Sequence, residues 1–280
     1  MSRTKQKARR ERGKTALAPN TRVQKEVASN EPEKKQVVAG QRGRKRKLNE
    51  SDDIDPNPSS KRTALDIKPG QPSSLDTVAD PALLADHFAK CIQKWFAKYS
   101  PIELEDRYLP AKAFLDTTSY KRARVAANLP DFLERYSAGG KEGLCTCDKV
   151  ASPHTIVITI SGMRIADLMR ELRVFKSKDS KVGKFMPKHM KLEMNVEFLQ
   201  SNKVGIAIGT PERLNQLLEA GALKTGGLQR IVVDGSYQDE KRSTIFTNGQ
   251  VFQPMVALLN DDSIRPRYGA AQNKIDILAF

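Results

Sequence analysis

Three short stretches of the chain hold polar residues that could bind phosphate or a metal ion, and each follows an apolar run. Residues 161–164 (SGMR) follow the run 154–160, residues 209–213 (GTPER) follow 204–208, and residues 234–237 (DGSY) follow 228–233. Arginines and helix N-termini bind phosphate groups, and carboxylates hold cations such as Mg²⁺. The candidate chemistry of the chain therefore lies where three apolar runs end.

The apolar runs predict buried strands, and helical patterns follow the first two of them. Residues 154–160 (HTIVITI) are rich in β-branched side chains, and residues 204–208, 228–233 and 275–280 predict three further strands. Thr210 is typical of a helix N-cap, and Pro211 is typical of the first helical turn. Gly221 is typical of the end of the same helix. We interpret the basic residues after the helix near Ile165 as a connection to a helix that ends near Leu199.

The order of these elements predicts the fold class. Another helix is expected to begin at Asp80 and Pro81 and to end at Ser100 and Pro101. Short apolar strands that alternate with helices indicate an α/β domain with a mostly parallel sheet and helices on both faces. Ligands of such sheets bind beyond the carboxyl ends of the strands, so the three polar stretches should share one edge.

The chain divides by composition near residue 75. Residues 1–74 hold 19 of the 48 basic and 9 of the 33 acidic side chains, and they contain none of the aromatic residues. We therefore expect a disordered basic tail over 1–74 and a folded domain over 75–280. The cluster RGRKRK predicts nuclear targeting through Arg42, Arg44, Lys45, Arg46 and Lys47.

Several classes of protein are not expected. No apolar run is long enough to predict a membrane helix, and the basic N-terminus lacks the apolar segment of a secretory signal. Three cysteines are too few for a disulfide scaffold or for a metal site at Cys145 and Cys147. The pattern A-x-x-x-x-G-K-T at residues 8–15 follows a basic stretch instead of a strand, so no ATP site is expected there.

The three polar stretches together resemble the first RecA-like (P-loop-NTPase-like) lobe of a DEAD-box RNA helicase. HTIVITI with SGMRIADL is similar to motif Ia, VGIAIGTPERLNQLL to motif Ib, and IVVDGS stands in the place of the D-E-A-D box. The resemblance implies RNA contacts by Arg164, Thr210 and Arg213. Residues 164–191, which include Arg164, hold nine basic side chains and only three acidic ones. Such a local excess of positive charge favours phosphate binding, so we also expect Lys176 and Lys184 to contact RNA.

The chain departs from helicases at the residues that carry catalysis. Asp234 matches the first acid of motif II, but Gly235 replaces the glutamate that such ATPases require, and Ser236 follows it. Gly139, Gly140 and Lys141 precede Glu142 instead of serine or threonine. A single degenerate lobe without catalytic residues, cofactor, bound metal or small-molecule substrate is therefore expected.

This combination is similar to the Cms-type ribosomal small-subunit biogenesis factors, through FMPKHMKL at 185–192, the stretch 204–236 and the early chain end. The resemblance covers about residues 80–280. It implies a non-catalytic nuclear and nucleolar factor of the early small-subunit pre-ribosome, with pre-rRNA and assembly factors as partners. Two alternatives stay open: a residual NTPase that uses Asp234 and a diverged phosphate site at Gly139 and Gly140, and a protein scaffold without RNA binding.

Overall fold

The computed structural model describes residues 79–280, apart from residue 189. The expected tail 1–74, the basic cluster with Arg42, Arg44, Lys45, Arg46 and Lys47, and the pattern at 8–15 lie outside the described residues. Among the described residues, a membrane-spanning helix is not found.

The described part alternates between helices and strands after a helical N-terminal stretch. Its helices are α1 (Pro81–Trp95), α2 (Pro101–Glu105), α3 (Leu129–Arg135), α4 (Gly140–Leu144), α5 (Gly162–Glu171), α6 (Leu192–Ser201), α7 (Pro211–Glu219) and α8 (Gly249–Leu259). Its strands are β1 (Thr155–Ile158), β2 (Lys181–Phe185), β3 (Val204–Gly209), β4 (Arg230–Val233) and β5 (Asp276–Ala279).

The five strands form one sheet in the order β2-β3-β1-β4-β5, and neighbouring strands are parallel. Strand β1 lies in the centre, where Ile158 pairs with Gly209 of β3 and with Val233 of β4. Beyond β5, Phe114 forms an isolated parallel bridge to Ile277. Strand β2 forms the opposite edge.

Apolar side chains of the strands alternate between two cores, one on each face of the sheet. Ile156 and Ile158 join the core that includes residues of α1, α7 and α8, whereas Val157 joins the core that includes residues of α3 and α5. This alternation is the period of two that a strand imposes on its side chains. The predicted α/β class, with a parallel sheet and helices on both faces, is confirmed.

Local sequence accounts for the helix beginnings. Asp80 accepts hydrogen bonds from the backbone N–H groups of Ala82 and Leu83 at 2.9 and 3.1 Å, with Pro81 in the first turn. The predicted end of this helix at Ser100 is wrong, because α1 ends at Trp95. Ser100 instead begins α2 through a capping box with Glu103, in which each residue bonds the backbone of the other.

The prediction of an irregular connection between α5 and α6 is wrong, because Lys181–Phe185 of that stretch form strand β2. The sequence KVGKF has two exposed lysines among three buried residues, as an edge strand can, and it lacks a continuous apolar run. The pairing of β2 with β3 shifts register between Lys181 and Val182. A short, irregular edge strand of this kind leaves a weak signal in sequence.

Candidate nucleic-acid interface

The three polar stretches lie together at the edge where the parallel strands end. Residues 161–164, 209–213 and 234–237 follow β1, β3 and β4, which are neighbours in the sheet. We call these three stretches the carboxyl rim. Arg164, Thr210 and Asp234 therefore follow the same edge of the sheet.

Asp234 forms a buried ion pair with Arg164 in the carboxyl rim. The Nε and Nη2 atoms of Arg164 donate to Oδ2 and Oδ1 of Asp234, each at 2.9 Å, and Thr159 donates its hydroxyl to Oδ2 at 2.6 Å. Asp234 is 1% exposed and Arg164 is 7% exposed. Both carboxylate oxygens of Asp234 are therefore occupied by donors of the chain itself.

Arg164 is enclosed on its remaining side as well. The ring of Tyr237 lies over its guanidinium group, and the distance from the ring centre to Cζ of Arg164 is 4.7 Å. Its guanidinium is therefore held inside the rim by a carboxylate and an aromatic ring, which gives Arg164 a structural role. The expected contact of Arg164 with RNA stays a prediction, and it would require this pair to open.

The two residues after Asp234 are tied to the end of the chain. Gly235 and Ser236 donate their backbone N–H groups to the carbonyl of Phe280, at 2.8 and 3.0 Å. The Ser236 hydroxyl donates to the carbonyl of Arg124 at 2.6 Å. The backbone of Gly235 and Ser236 thus anchors the residue that follows β5.

Arg124 is a buried residue of this region that the sequence did not single out. It is 6% exposed and donates to the carbonyl of Ala279 at 2.6 Å and to the hydroxyl of Thr117 at 3.2 Å. Its guanidinium carbon lies 5.3 Å from the centre of the Phe132 ring. Arg124 stands in a stretch without clear periodicity, so the sequence carried no signal for its burial.

Thr210 and Arg213 lie at the N-terminus of α7 and are also enclosed. Thr210 has the extended N-cap conformation, but its side chain makes no capping hydrogen bond, which corrects the expected cap. Its hydroxyl oxygen is buried, and it has no hydrogen-bond partner among the described residues. Pro211, as predicted, occupies the first turn.

Arg213 is 5% exposed and anchors the segment before α6. Its Nη2 donates to the backbone carbonyl of Met190 at 3.0 Å, whereas its Nε and Nη1 have no partner within the described part of the chain. Met190 lies between Lys188 and Lys191, which are both exposed. Arg213 therefore positions a segment that carries two exposed cations, and its own contact with RNA stays a prediction.

Exposed cations lie outside the carboxyl rim. Of the nine basic residues in 164–191, Arg164 alone is buried. The predicted contacts Lys176 and Lys184 line an open cavity of about 700 Å³ together with Arg173 and Lys181. The rest of its lining is apolar and consists of Met169, Val182, Met190 and Phe198. We call this cavity the basic groove.

The basic groove follows the outer edge of β2. Lys181, Val182 and Lys184 belong to that strand, while Met169 comes from α5 and Phe198 from α6. No acidic residue is found among the described residues that line the groove. Four cations with no neutralising carboxylate in their lining create a positive potential that favours polyanions.

The amino edge of the sheet carries a buried histidine. His154 is 8% exposed, and its Nδ1 lies 2.8 Å from the Thr155 hydroxyl. Burial, and then the charge of Arg230, lower the pKa of His154 to about 4. This residue is therefore neutral at physiological pH. In residues 79–280, leaving out 189, no group of three or more His, Cys, Asp or Glu could hold a metal.

Known proteins resemble the chain along most of its length. Residues 15–279 match the family model CMS1, which is described as U3-containing 90S pre-ribosomal complex subunit. Protein CMS1 of Chaetomium thermophilum is 39% identical over 217 residues, which cover 77% of this chain and 86% of that protein. Protein cms1 of Schizosaccharomyces pombe is 24% identical, over 73% and 72% of the two chains.

More distant similarity extends to animal proteins and to solved structures. Protein CMSS1 of Homo sapiens is 27% identical over 62% of this chain and 56% of its own. A crystal structure of a DEAD box protein from Methanococcus jannaschii aligns with a TM-score of 0.30 and 12% identity, over 46% of this chain and 31% of that chain. The family model matches nearly the whole chain, and the Chaetomium protein is similar over most of both chains. The chain therefore belongs to the CMS1 family, whose description is U3-containing 90S pre-ribosomal complex subunit.

Proposed function

We propose that this chain is a non-catalytic assembly factor that associates with the early small-subunit pre-ribosome through pre-rRNA and protein contacts. The family description supports the wider role in ribosome biogenesis and, with it, a nuclear and nucleolar location. The domain 75–280 makes the contacts. The tail 1–74 adds nuclear import through Arg42, Arg44, Lys45, Arg46 and Lys47 and a weaker attraction to phosphate.

The observation that carries the non-catalytic part is the ion pair between Arg164 and Asp234. A Mg²⁺ site in a nucleotide hydrolase needs a carboxylate with a free oxygen, and both oxygens of Asp234 accept hydrogen bonds from the chain. Gly235 supplies no carboxylate that could position a water molecule. The rim therefore serves to hold the domain together, and no nucleotide is a substrate.

The RNA-binding part is supported by the charges that remain exposed. Lys176 and Lys184, with Arg173 and Lys181, gather in the basic groove without an acidic neighbour in its lining. Phosphate groups of RNA neutralise such cations and release counterions, which gives affinity without sequence specificity. Arg213 contributes indirectly, since it holds the backbone of Met190, which lines the groove. Arg164 contributes indirectly through its ion pair with Asp234.

The test is crosslinking in cells with the full chain. K176E/K184E should lose most crosslinks to pre-rRNA, whereas the charge-matched control K98E/K241E, at exposed lysines outside the groove, should keep them. Charge reversal at Arg164 or Arg213 is unsuitable, because both are buried and the protein would be destabilised.

Each alternative predicts a different result. If K176E/K184E keeps its RNA crosslinks and its co-sedimentation with pre-ribosomal particles, the chain is a protein scaffold. If the purified chain hydrolyses ATP or GTP, and R164M/D234N stays folded by thermal unfolding but loses the turnover, it is an NTPase. The proposal expects loss of RNA crosslinks in the first experiment and no turnover in the second.

A further inference from the structure

The basic groove combines two kinds of surface that a simple charged patch lacks. Its cations come from the stretch around β2, while its apolar lining comes from α5, β2, α6 and Met190. A patch that only attracts phosphate needs no apolar lining, because phosphate contacts are electrostatic. The apolar lining therefore requires an occupant that also presents apolar faces.

Phe198 supplies the aromatic part of this lining. It lies on α6 and is half-buried, and its ring is 6.2 Å from the ring of Phe185 at an angle of 58°. Phe185 is fully buried, so it fixes one side of Phe198 while part of the ring reaches the groove. An aromatic ring fixed beside cations is a platform on which a base can stack.

The edge of β2 argues against an extended peptide as the occupant. A peptide that added a strand would need a regular edge, but the register of β2 shifts between Lys181 and Val182. Irregular pairing and lysines on an edge strand are features that hinder strand addition. The same lysines are well placed to meet phosphates.

We infer that the basic groove binds single-stranded RNA, with an unstacked base on its apolar lining and the neighbouring phosphates on Arg173, Lys176, Lys181 and Lys184. This inference rests on the proposed RNA-binding function and adds the class of RNA. A duplex hides its base faces in the stack, whereas a single strand offers both bases and phosphates. The groove thus selects unpaired segments, loops or ends of a structured RNA.

The experiment measures binding of the full chain by fluorescence anisotropy at low salt. The probes are a labelled oligouridine, an RNA duplex of equal length and an oligomer of the same backbone without bases. The wild type should bind oligouridine about tenfold more tightly than the base-free backbone, which is the order of one stacked base. Phe198→Ala should remove that difference, and Phe198→Trp should restore it.

Met194→Ala is the matched control. Met194 lies on the same helix, is 56% exposed and does not line the groove, so its removal should leave the preference for bases unchanged. Thermal unfolding of both variants separates a local effect from a loss of fold. If Phe198→Ala is unfolded, Phe198→Leu replaces it, since leucine keeps the apolar contact and lacks the ring.

The outcomes distinguish this inference from the function on which it rests. Equal affinity of the wild type for all three probes, or an unchanged preference for bases in Phe198→Ala (or in Phe198→Leu where it replaces it), overturns the stacking site and leaves RNA binding intact. Absence of binding to every RNA overturns both. A glutamate-rich peptide that displaces oligouridine and binds more tightly than any RNA probe would identify the groove as a protein-docking site instead.

Discussion

The carboxyl rim and the basic groove share the cations of one stretch of sequence, residues 164–191, and use them in opposite ways. Arg164 is withdrawn into the protein and neutralised by Asp234, whereas Lys176 and Lys184 face solvent without a carboxylate in the groove lining. The comparison shows that a basic stretch has no single role. A cation becomes structural where the fold supplies a buried partner, and it stays available for a ligand where the fold supplies none.

The largest effect that this comparison predicts is on stability. Arg164→Ala should lower the free energy of unfolding by about 3–5 kcal/mol, because it leaves Asp234 buried without its counter-charge. Urea unfolding measures this loss. The exposed Arg173→Ala should change stability by less than about 0.5 kcal/mol. R164M/D234N should recover much of the loss, since it removes both charges and keeps an acceptor for Thr159. Equal losses for Arg164→Ala and Arg173→Ala would contradict the structural role of Arg164.

The second prediction is that the buried His154 makes stability depend on pH, since it has no counter-charge of the kind that Arg164 has in Asp234. His154 is neutral in the folded protein, and its pKa, lowered to about 4, lies below the ordinary value of 6.5. Between these two values the unfolded chain binds the proton more tightly, so stability should fall as the pH is lowered from about 6.5 to about 4. The loss is at most about 3 kcal/mol. Urea unfolding over this pH range should show a shallower dependence for His154→Asn. If His154→Asn has the same pH dependence of the free energy of unfolding as the wild type, titratable groups other than His154 cause that dependence.

The third prediction concerns the groove. K176E/K184E should weaken binding to single-stranded RNA by about tenfold or more, and removal of two phosphate contacts should reduce the slope of log affinity against log salt by about 1.4. Titrations at several salt concentrations measure both values. K98E/K241E changes the net charge equally and should keep the slope of the wild type. An identical slope for both double variants would assign the effect to overall charge alone.

The smallest expected effect is that of added nucleotide on the RNA affinity. Mg²⁺-ATP should leave the RNA affinity of the wild type unchanged, because Asp234 has no free oxygen for the metal. Asp234→Asn should be equally insensitive to nucleotide. The same anisotropy titration, with and without Mg²⁺-ATP, measures this. A shift in affinity that appears in the wild type and disappears in Asp234→Asn would revive a nucleotide site at the rim.

The sequence was most informative where a single physical cause dominates. Strands β1, β3 and β4 are buried on both faces, so their β-branched runs stand out, and the place of each polar stretch follows from the parallel order. Strand β2 was missed because two of its five residues are exposed lysines, and edge strands need not be apolar on both faces. The end of α1 was missed because Ser100 and Pro101 fit the beginning of a helix as well as the end of one.

The burial of the arginines could not be predicted from their own neighbourhood. Arg164 pairs with a residue 70 positions later in the chain, and Arg213 bonds a backbone carbonyl 23 positions earlier. Such partners depend on which strands become neighbours and on how the loops between them fold. A motif can therefore locate a residue at the correct edge of the sheet and still leave open whether its side chain faces a ligand or the interior.

The ion pair in the carboxyl rim also restricts how this lobe could change over evolutionary time. A carboxylate that is to be freed for a metal must first lose Arg164, and each single substitution strands one charge in the interior at a cost of about 3–5 kcal/mol. That cost is a large part of the stability of an ordinary domain. Substitutions at Arg164 and Asp234 should therefore be tolerated together more readily than one at a time, so the two positions are expected to change as a pair.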